Sequence, residues 1–188
     1  DSGNIGVPYL DVTEEYDPVN KVWIPKSPMP EGRHKPKSVY LDGYIYVFGG
    51  ETKKDINGDG KYEMVFADTI LRYDPVNDRW DTLGSMVSDK YNYSVEAVNG
   101  KIYILGGQIL ITTSQGIEPV PSNTIEEFDP KTGTWTSKTP MPNATAQCGT
   151  AVVNDKIYLI GGAIDDYSDG RNVQVYDPLT DTWTSKTD

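Results

Sequence analysis

One cysteine (Cys148) and one histidine (His34) occur among 188 residues. A single thiol closes no disulfide within the chain, and one thiol with one imidazole builds no His/Cys metal cage, so transition-metal chemistry is not expected. Basic side chains are scarce: 17 Lys and Arg stand against 28 Asp and Glu, a net charge of −11. That balance argues against a nucleic-acid or anionic-lipid surface, since both require clustered cations. Long hydrophobic runs are absent too. No uncharged stretch is longer than Ile102 to Ile117, which is broken by Gly106-Gly107, Gln108 and Thr112-Thr113-Ser114, so no membrane span is expected. No Ser-centred nucleophile motif or phosphate-binding Gly-rich loop is found. The chain starts at Asp1 without an initiator Met or a basic-then-apolar leader, and is read as processed or as a piece of something longer.

What is present is repetition. Four segments align without gaps: Tyr16-Asp17-Pro18 to Trp23, Tyr73-Asp74-Pro75 to Trp80, Phe128-Asp129-Pro130 to Trp135, and Tyr176-Asp177-Pro178 to Trp183. The aromatic-to-Trp separation is seven throughout, and Trp to the next Met (Met29, Met86, Met141) is six. Met to the first glycine of a Gly-Gly pair (Gly49, Gly106, Gly161) is twenty. One interval varies, from the second glycine to the next aromatic: 23, 21 and 14 residues. Each repeat is thus one structural unit with one loop free to change length.

Within a unit the periodicity is that of strands. Tyr44 to Phe48, Ile102 to Leu105 and Ile157 to Ile160 are short aromatic and β-branched runs that end at Gly-Gly. Each follows a tight-hairpin signal: Asp42-Gly43, Asn99-Gly100 or Asn154-Asp155. Apolar stretches precede those turns, and the Asp-Pro segments read as further turns, Pro presetting φ. One unit is four antiparallel strands, a to d, with b ending at Gly-Gly, c at the Asp-Pro turn, and d carrying the Trp.

Gly-Gly, aromatic-Asp-Pro and Trp at these spacings resemble the kelch repeat, one blade of a β-propeller. The resemblance implies an all-β chain, a kelch-type β-propeller segment of four-stranded antiparallel blades. Its parts are a loop and half blade over residues 1–25 and blades at 26–83, 84–138 and 139–188. It also implies that the glycines end b where backbones approach closely, and that Trp and Tyr fill the space between blades. Relatives close rings of about six or seven blades, so the remaining propeller blades, or a second copy of the chain, are expected partners.

The b–c and d–a loops share one face of such a ring, and loops on a rigid scaffold carry function. On the d–a loops Arg33 and Lys90 are equivalent, as are His34 and Tyr91, and these four are the candidate ligand contacts. The alternative is that they are solvated loop residues. The insertion after Gly107 reads as a hairpin whose Ile109, Leu110, Ile111, Ile117 and Val120 pack on a neighbouring loop or meet a partner. Glu96 falls on the innermost strand, where it lines a wet channel or sits in a site.

The expected function is a non-catalytic recognition module for a protein or glycan ligand. A carbohydrate-active kelch enzyme whose other blades are absent is the alternative. Copper oxidases of this family need two His, which this chain lacks.

The insertion after Gly50 holds Asp55, Asn57 and Asp59 at positions 1, 3 and 5, Gly60 at 6, the Lys61 carbonyl at 7 and Glu63 at 9. That spacing suits a structural calcium ion. It is similar to EF-hand and dockerin loops in its first half and to integrin-type calcium hairpins, although position 12 is Phe66. Asn57-Gly58 and Asp59-Gly60 are also plain turn signals. A weak site of this kind fits millimolar calcium, and with it an extracellular or cell-surface location.

Overall fold

The computed structural model describes residues 9–165, 168–169 and 173–186. All regular structure among them is strand. The order is β1 (Thr13–Asp17), β2 (Val22–Lys26), β3 (Lys37–Leu41), β4 (Tyr44–Phe48), β5 (Glu51–Lys54), β6 (Glu63–Phe66), β7 (Thr69–Asp74) and β8 (Arg79–Ser85). The second half runs β9 (Ser94–Val98), β10 (Lys101–Leu105), β11 (Gln108–Thr113), β12 (Gly116–Pro121), β13 (Ile125–Asp129) and β14 (Thr134–Lys138). It ends with β15 (Gly149–Val153), β16 (Lys156–Ile160), β17 (Ala163–Asp165), β18 (Ser168–Asp169), β19 (Val173–Asp177) and β20 (Thr182–Lys186). No helix is long and apolar enough to cross a membrane among the described residues.

Three four-stranded sheets have the orders β3-β4-β7-β8, β9-β10-β13-β14 and β15-β16-β19-β20, the a-b-c-d blades expected from the repeats. β1-β2 is a two-stranded c–d pair. Each variable interval forms its own hairpin, β5-β6, β11-β12 and β17-β18. The chain divides into two compact units, Asp1–Ser38 with Gly43–Met86, and Val39–Asp42 with Val87–Asp188.

Local chemistry explains the turns. Both central residues of each a–b turn have positive φ: Asp42 49° and Gly43 89°, Asn99 51° and Gly100 75°, Asn154 50° and Asp155 60°. Such pairs match the twist of the flanking strands, which is why Asn, Asp and Gly occupy them. At the c–d turns the aspartate acts alongside the proline. Asp74 Oδ1 accepts the amides of Val76 at 3.0 Å and Asn77 at 3.1 Å, and Asp17 does the same for Val19 and Asn20. The repeated Met ties the end of d to the residue or two before c: the Met86 amide donates to Asp68 O at 2.7 Å and the Met141 amide to Asn123 O at 2.8 Å.

The second unit is built on a core of Val98, Tyr103, Leu105, Ile125, Met141, Ile157, Leu159 and Tyr176, with Trp183 and Cys148 against it. The repeated aromatic–Trp pair stacks at 4.9 Å between centroids in all three blades. Its polar atoms are also used. Trp183 Nε1 donates to Thr139 O at 2.9 Å, the Thr139 amide donates to Asp181 Oδ1 at 2.9 Å, and the Tyr176 hydroxyl donates to that same oxygen at 2.6 Å. Trp80, Ser27, Asp78 and Tyr73 repeat the arrangement in the first unit. In the middle blade Phe128 and Gly133 occupy the tyrosine and aspartate positions, so that hydroxyl and carboxylate do not exist there.

The first copy departs from the expectation that every Trp and its partner are core. Tyr16 and Trp23 stack at 5.0 Å yet remain 47% and 64% exposed, whereas Tyr73 is 4% exposed. Among the described residues β1 pairs with β2 alone, so the pair has its internal stacking without a sheet of four beneath it.

Burial, then the hydrogen bond to Asp78, pushes the Tyr73 hydroxyl up to about 12. Burial and Asp181 likewise raise Tyr176. A folded value above the unfolded one of about 10 means the protonated phenol stabilises the fold. Its contribution is complete below pH 10 and is lost as pH rises through the folded value. The melting temperature should therefore fall between about pH 10 and 12, followed by phenolate absorbance. Tyr176→Phe should cost about 1 kcal/mol at neutral pH and make that alkaline decline shallower.

Candidate functional site

The d–a loops and the ends of strand b are joined by one motif in every blade. His34 and Glu51 exchange two backbone hydrogen bonds of 2.9 and 2.8 Å, Tyr91 and Gln108 exchange bonds of 3.1 and 2.8 Å, and Ala146 and Ala163 bonds of 3.0 and 2.9 Å. The second glycine of each Gly-Gly pair lies under this bridge. A Cβ on Gly50 would meet His34 O at 2.8 Å, one on Gly107 would meet Tyr91 O at 2.8 Å, and one on Gly162 would meet Ala146 O at 2.6 Å. Their φ values of 86°, 94° and 95° add the reason that only glycine fits. The close approach implied by the resemblance is thus a specific backbone bridge.

Directly beneath the bridges lie the cations. Arg33 is 3% exposed. Its Nη1 donates to Gly49 O at 3.0 Å and Thr69 O at 2.9 Å, and its Nη2 donates to the Thr69 hydroxyl and faces Glu31 Oε2 at 3.4 Å. Lys90 is 5% exposed. Its Nζ donates to Thr124 Oγ1 at 2.7 Å and pairs with Glu126 Oε2 at 2.6 Å. Burial pulls the Lys90 ammonium below its ordinary value, and Glu126 opposes that pull. In the third blade the equivalent residue is Thr145, buried, with its hydroxyl donating to Gly161 O at 3.3 Å. Arg33 and Lys90 therefore brace the loop from inside, while His34 and Tyr91 remain half-buried at the surface. His34 Nδ1 lies 3.1 Å from Glu51 Oε2, with the Tyr9 ring edge-on to the imidazole.

The partners of these cations escaped the reading of the sequence. Glu126, Leu71 and Gln174 are equivalent on strand c, and their polarity follows the loop above. Glu126 meets Lys90, and Gln174 bonds both the amide and the carbonyl of Asn143 at 2.9 and 3.1 Å. The charge on the aligned position 126 was the signal. Glu96, for its part, is half-buried on β9 opposite Tyr103.

The loop between β5 and β6 holds Asp55, Asn57, Asp59 and Lys61, with Glu63 opening β6. Asp55 accepts the amides of Gly58 at 2.7 Å, Asp59 at 3.2 Å and Gly60 at 2.9 Å. Asp59 accepts the Lys61 amide at 2.9 Å. A carboxylate offers about four lone-pair sites, so three amides leave Asp55 about one, on Oδ2, for a cation. Among the described residues no group of three acidic, His or Cys side chains gathers as a metal site. As arranged, the loop is a turn capped by the Asp55 carboxylate.

β11-β12 is the hairpin expected after Gly107, in register from Gln108↔Pro121 to Thr113↔Gly116. Leu110 and Ile117 are 51% and 69% exposed. β12 runs beside β17, while Ile109 and Ile111 are also open to solvent.

Removing one member of a buried ion pair strands the other charge, a cost of about 3–5 kcal/mol. Glu126→Leu, which copies Leu71, should therefore lower stability by about 3 kcal/mol in denaturant melts. Lys90→Met with Glu126→Leu should recover most of that loss. Additive costs in the double variant would show that the two do not act as a pair.

Comparisons with known proteins accord with this geometry. The model of the KLHDC2/KLHL20/DRC7 Kelch-repeats domain matches residues 10–187. Kelch repeat and BTB domain-containing protein 12 of Danio rerio is 32% identical over 142 residues, 71% of this chain and 22% of that protein. Beta-scruin of Limulus polyphemus is 33% identical over 143 residues, 76% of this chain and 14% of that protein. Kelch-like protein 23 of Homo sapiens is 29% identical over 161 residues, 86% of this chain and 25% of that protein. The chain thus spans a quarter or less of these relatives. The solved structure of YjhT superposes with a TM-score of 0.74 at 20% identity, covering 96% of this chain and 66% of that one, a likeness of fold. Four copies of one sequence pattern, three four-stranded antiparallel blades and a family model covering nearly every residue agree: the chain belongs to the kelch-repeat family.

Proposed function

We propose that the chain is part of a non-catalytic recognition module whose ligand, a protein rather than a glycan, is bound by the d–a and b–c loops. The observation that carries this reading is the β11-β12 hairpin. It exposes aliphatic side chains, Leu110 and Ile117 foremost, and it starts from a base fixed by the Tyr91–Gln108 bridge. Isolated exposed aliphatics are ordinary, but a cluster on one projecting element marks an interaction surface. Sugars stack on aromatic faces, which this hairpin lacks. His34 and Tyr91, at the loop surfaces, are the proposed side-chain contacts, with Arg33 and Lys90 supporting them from below. Further blades, or a second copy of the chain, are proposed to cover the exposed Tyr16–Trp23 face.

The test uses the full-length protein in a cross-linking pull-down and on a glycan array. A partner protein should be recovered whose purified form binds about tenfold more weakly to Tyr91→Ala, about 1.4 kcal/mol. Specific glycan binding with no protein partner would replace this reading by the carbohydrate one.

Calcium at Asp55, Asn57, Asp59, the Lys61 carbonyl and Glu63 is a separate proposal, supported by the spacing of oxygen donors. With Phe66 in place of a bidentate Glu at position 12, affinity should be no better than millimolar, as in extracellular calcium modules, and the role structural. Calorimetry should then give heat with the native protein that is lost in Asp55→Ala with Asp59→Ala, together with a calcium-dependent rise in melting temperature. A flat titration with an unmoved melt removes calcium and, with it, the reason for an extracellular or cell-surface location.

A further inference from the structure

We propose that the outer edge of β11 is a docking strand. On it, an extended segment of a partner protein, uncharged or basic and apolar at alternate positions, adds as a third strand to the β11-β12 hairpin. The inference rests on the recognition reading above and narrows it to one edge and one mode of binding.

Three observations carry it. First, β11 (Gln-Ile-Leu-Ile-Thr-Thr) is six residues without a charge or a proline, rich in β-branched side chains. Proteins blunt exposed strand edges with charge, proline or brevity, because an open row of N–H and C=O groups templates another strand. The blunting here falls on β12, which carries Glu118, Pro119 and Pro121, and on the β5-β6 hairpin, which carries Lys53, Lys54 and Glu63. β11 has none, and among the described residues no strand other than β12 is hydrogen-bonded to it.

Second, the edge is already primed. Gln108 exchanges both backbone bonds with Tyr91, so its N–H and C=O point away from β12. Outward and inward groups alternate along an antiparallel strand. Leu110 and Thr112 therefore present their N–H and C=O on the same outer edge, continuing the line that Tyr91 begins. A segment entering there runs antiparallel to β11 and gains main-chain bonds, with specificity from alternate side chains.

Third, charge selects the occupant. The hairpin's one charged residue is Glu118, and the whole chain carries −11. Two copies of such a chain repel one another, whereas a neutral or basic segment is drawn in. The exposed faces flanking the edge, Leu110 with Ile117 and Ile109 with Ile111, call for apolar side chains on the incoming strand.

Thr112→Pro tests the edge selectively. It removes an outward N–H and leaves the β12 ladder intact, since proline is tolerated on the open side of an edge strand. The probe is a library of random linear peptides displayed on phage and selected on the full-length protein. Selected peptides should alternate apolar residues, favour Lys or Arg over Asp or Glu, and bind Thr112→Pro at least about tenfold more weakly, with its melt unchanged. In the native protein the amides of Leu110 and Thr112 should exchange fast when free and slowly with peptide, while those of Ile109 and Ile111 stay protected in both states. Peptides that bind Thr112→Pro equally well, or that leave Leu110 and Thr112 unprotected, overturn the edge proposal while leaving protein recognition standing. Failure to select any peptide also overturns it, and specific glycan binding in that case removes the recognition reading as well. A native dimer that Thr112→Pro dissociates would make the occupant a second copy and likewise refute the proposal.

Discussion

Two backbone hydrogen bonds between a d–a loop and the residue after Gly-Gly recur in all three blades, and much else is arranged around them. They draw the two main chains so close that the second glycine has no room for a side chain. They fix where strand b stops and where the interval hairpin starts. They also roof a small polar cell, and the cell's contents differ from blade to blade. Arginine on carbonyls fills one, a lysine–glutamate pair another, and a threonine hydroxyl the third. The backbone is constant, so the side chains below it are free to vary as long as the buried charges find partners.

That logic explains how a chain with net charge −11 keeps two of its cations away from solvent. Arg33 spends its guanidinium on main-chain oxygens and the Thr69 hydroxyl, a geometry suited to its planar fork. Lys90 needs a full counter-charge, and Glu126 supplies it. Both are internal ties of the loop base, and the surface above them is left to His34, Tyr91 and the hairpins.

The repeats made the strands, the tight a–b turns and the blade order legible, because each depends on local residue choice at fixed spacing. Asp42-Gly43 and its equivalents need positive φ, and no longer-range information is required to see it. The role of Arg33 and Lys90 was less legible. Their alignment showed that they were equivalent, but whether a loop cation faces water or the interior depends on Thr69, Thr124 and Glu126, residues far along the chain. The same holds for Asp78 and Asp181, whose carboxylates accept the Tyr73 and Tyr176 hydroxyls and the amides of Ser27 and Thr139. In the β5-β6 loop the spacing of oxygens was visible, but the three amides that Asp55 binds follow from the fold of the loop. Trp23 was misjudged for a comparable reason: the motif encodes its stacking with Tyr16, while its burial depends on what lies against it.

The interval hairpins begin at the bridge residue itself, one after the second glycine, and the first two lead into strand c through the residue to which the Met of the next repeat is tied. Both anchor points are made by main-chain groups, so neither cares which residues lie between them. Each interval is thus an exchangeable cassette, which accounts for lengths of 23, 21 and 14 residues on blades of otherwise constant spacing. For an engineer this marks the positions after Gly50, Gly107 and Gly162 as sites where foreign hairpins can be grafted. For evolution it means that new binding surfaces can be tried while the residues that hold the blade together are left untouched.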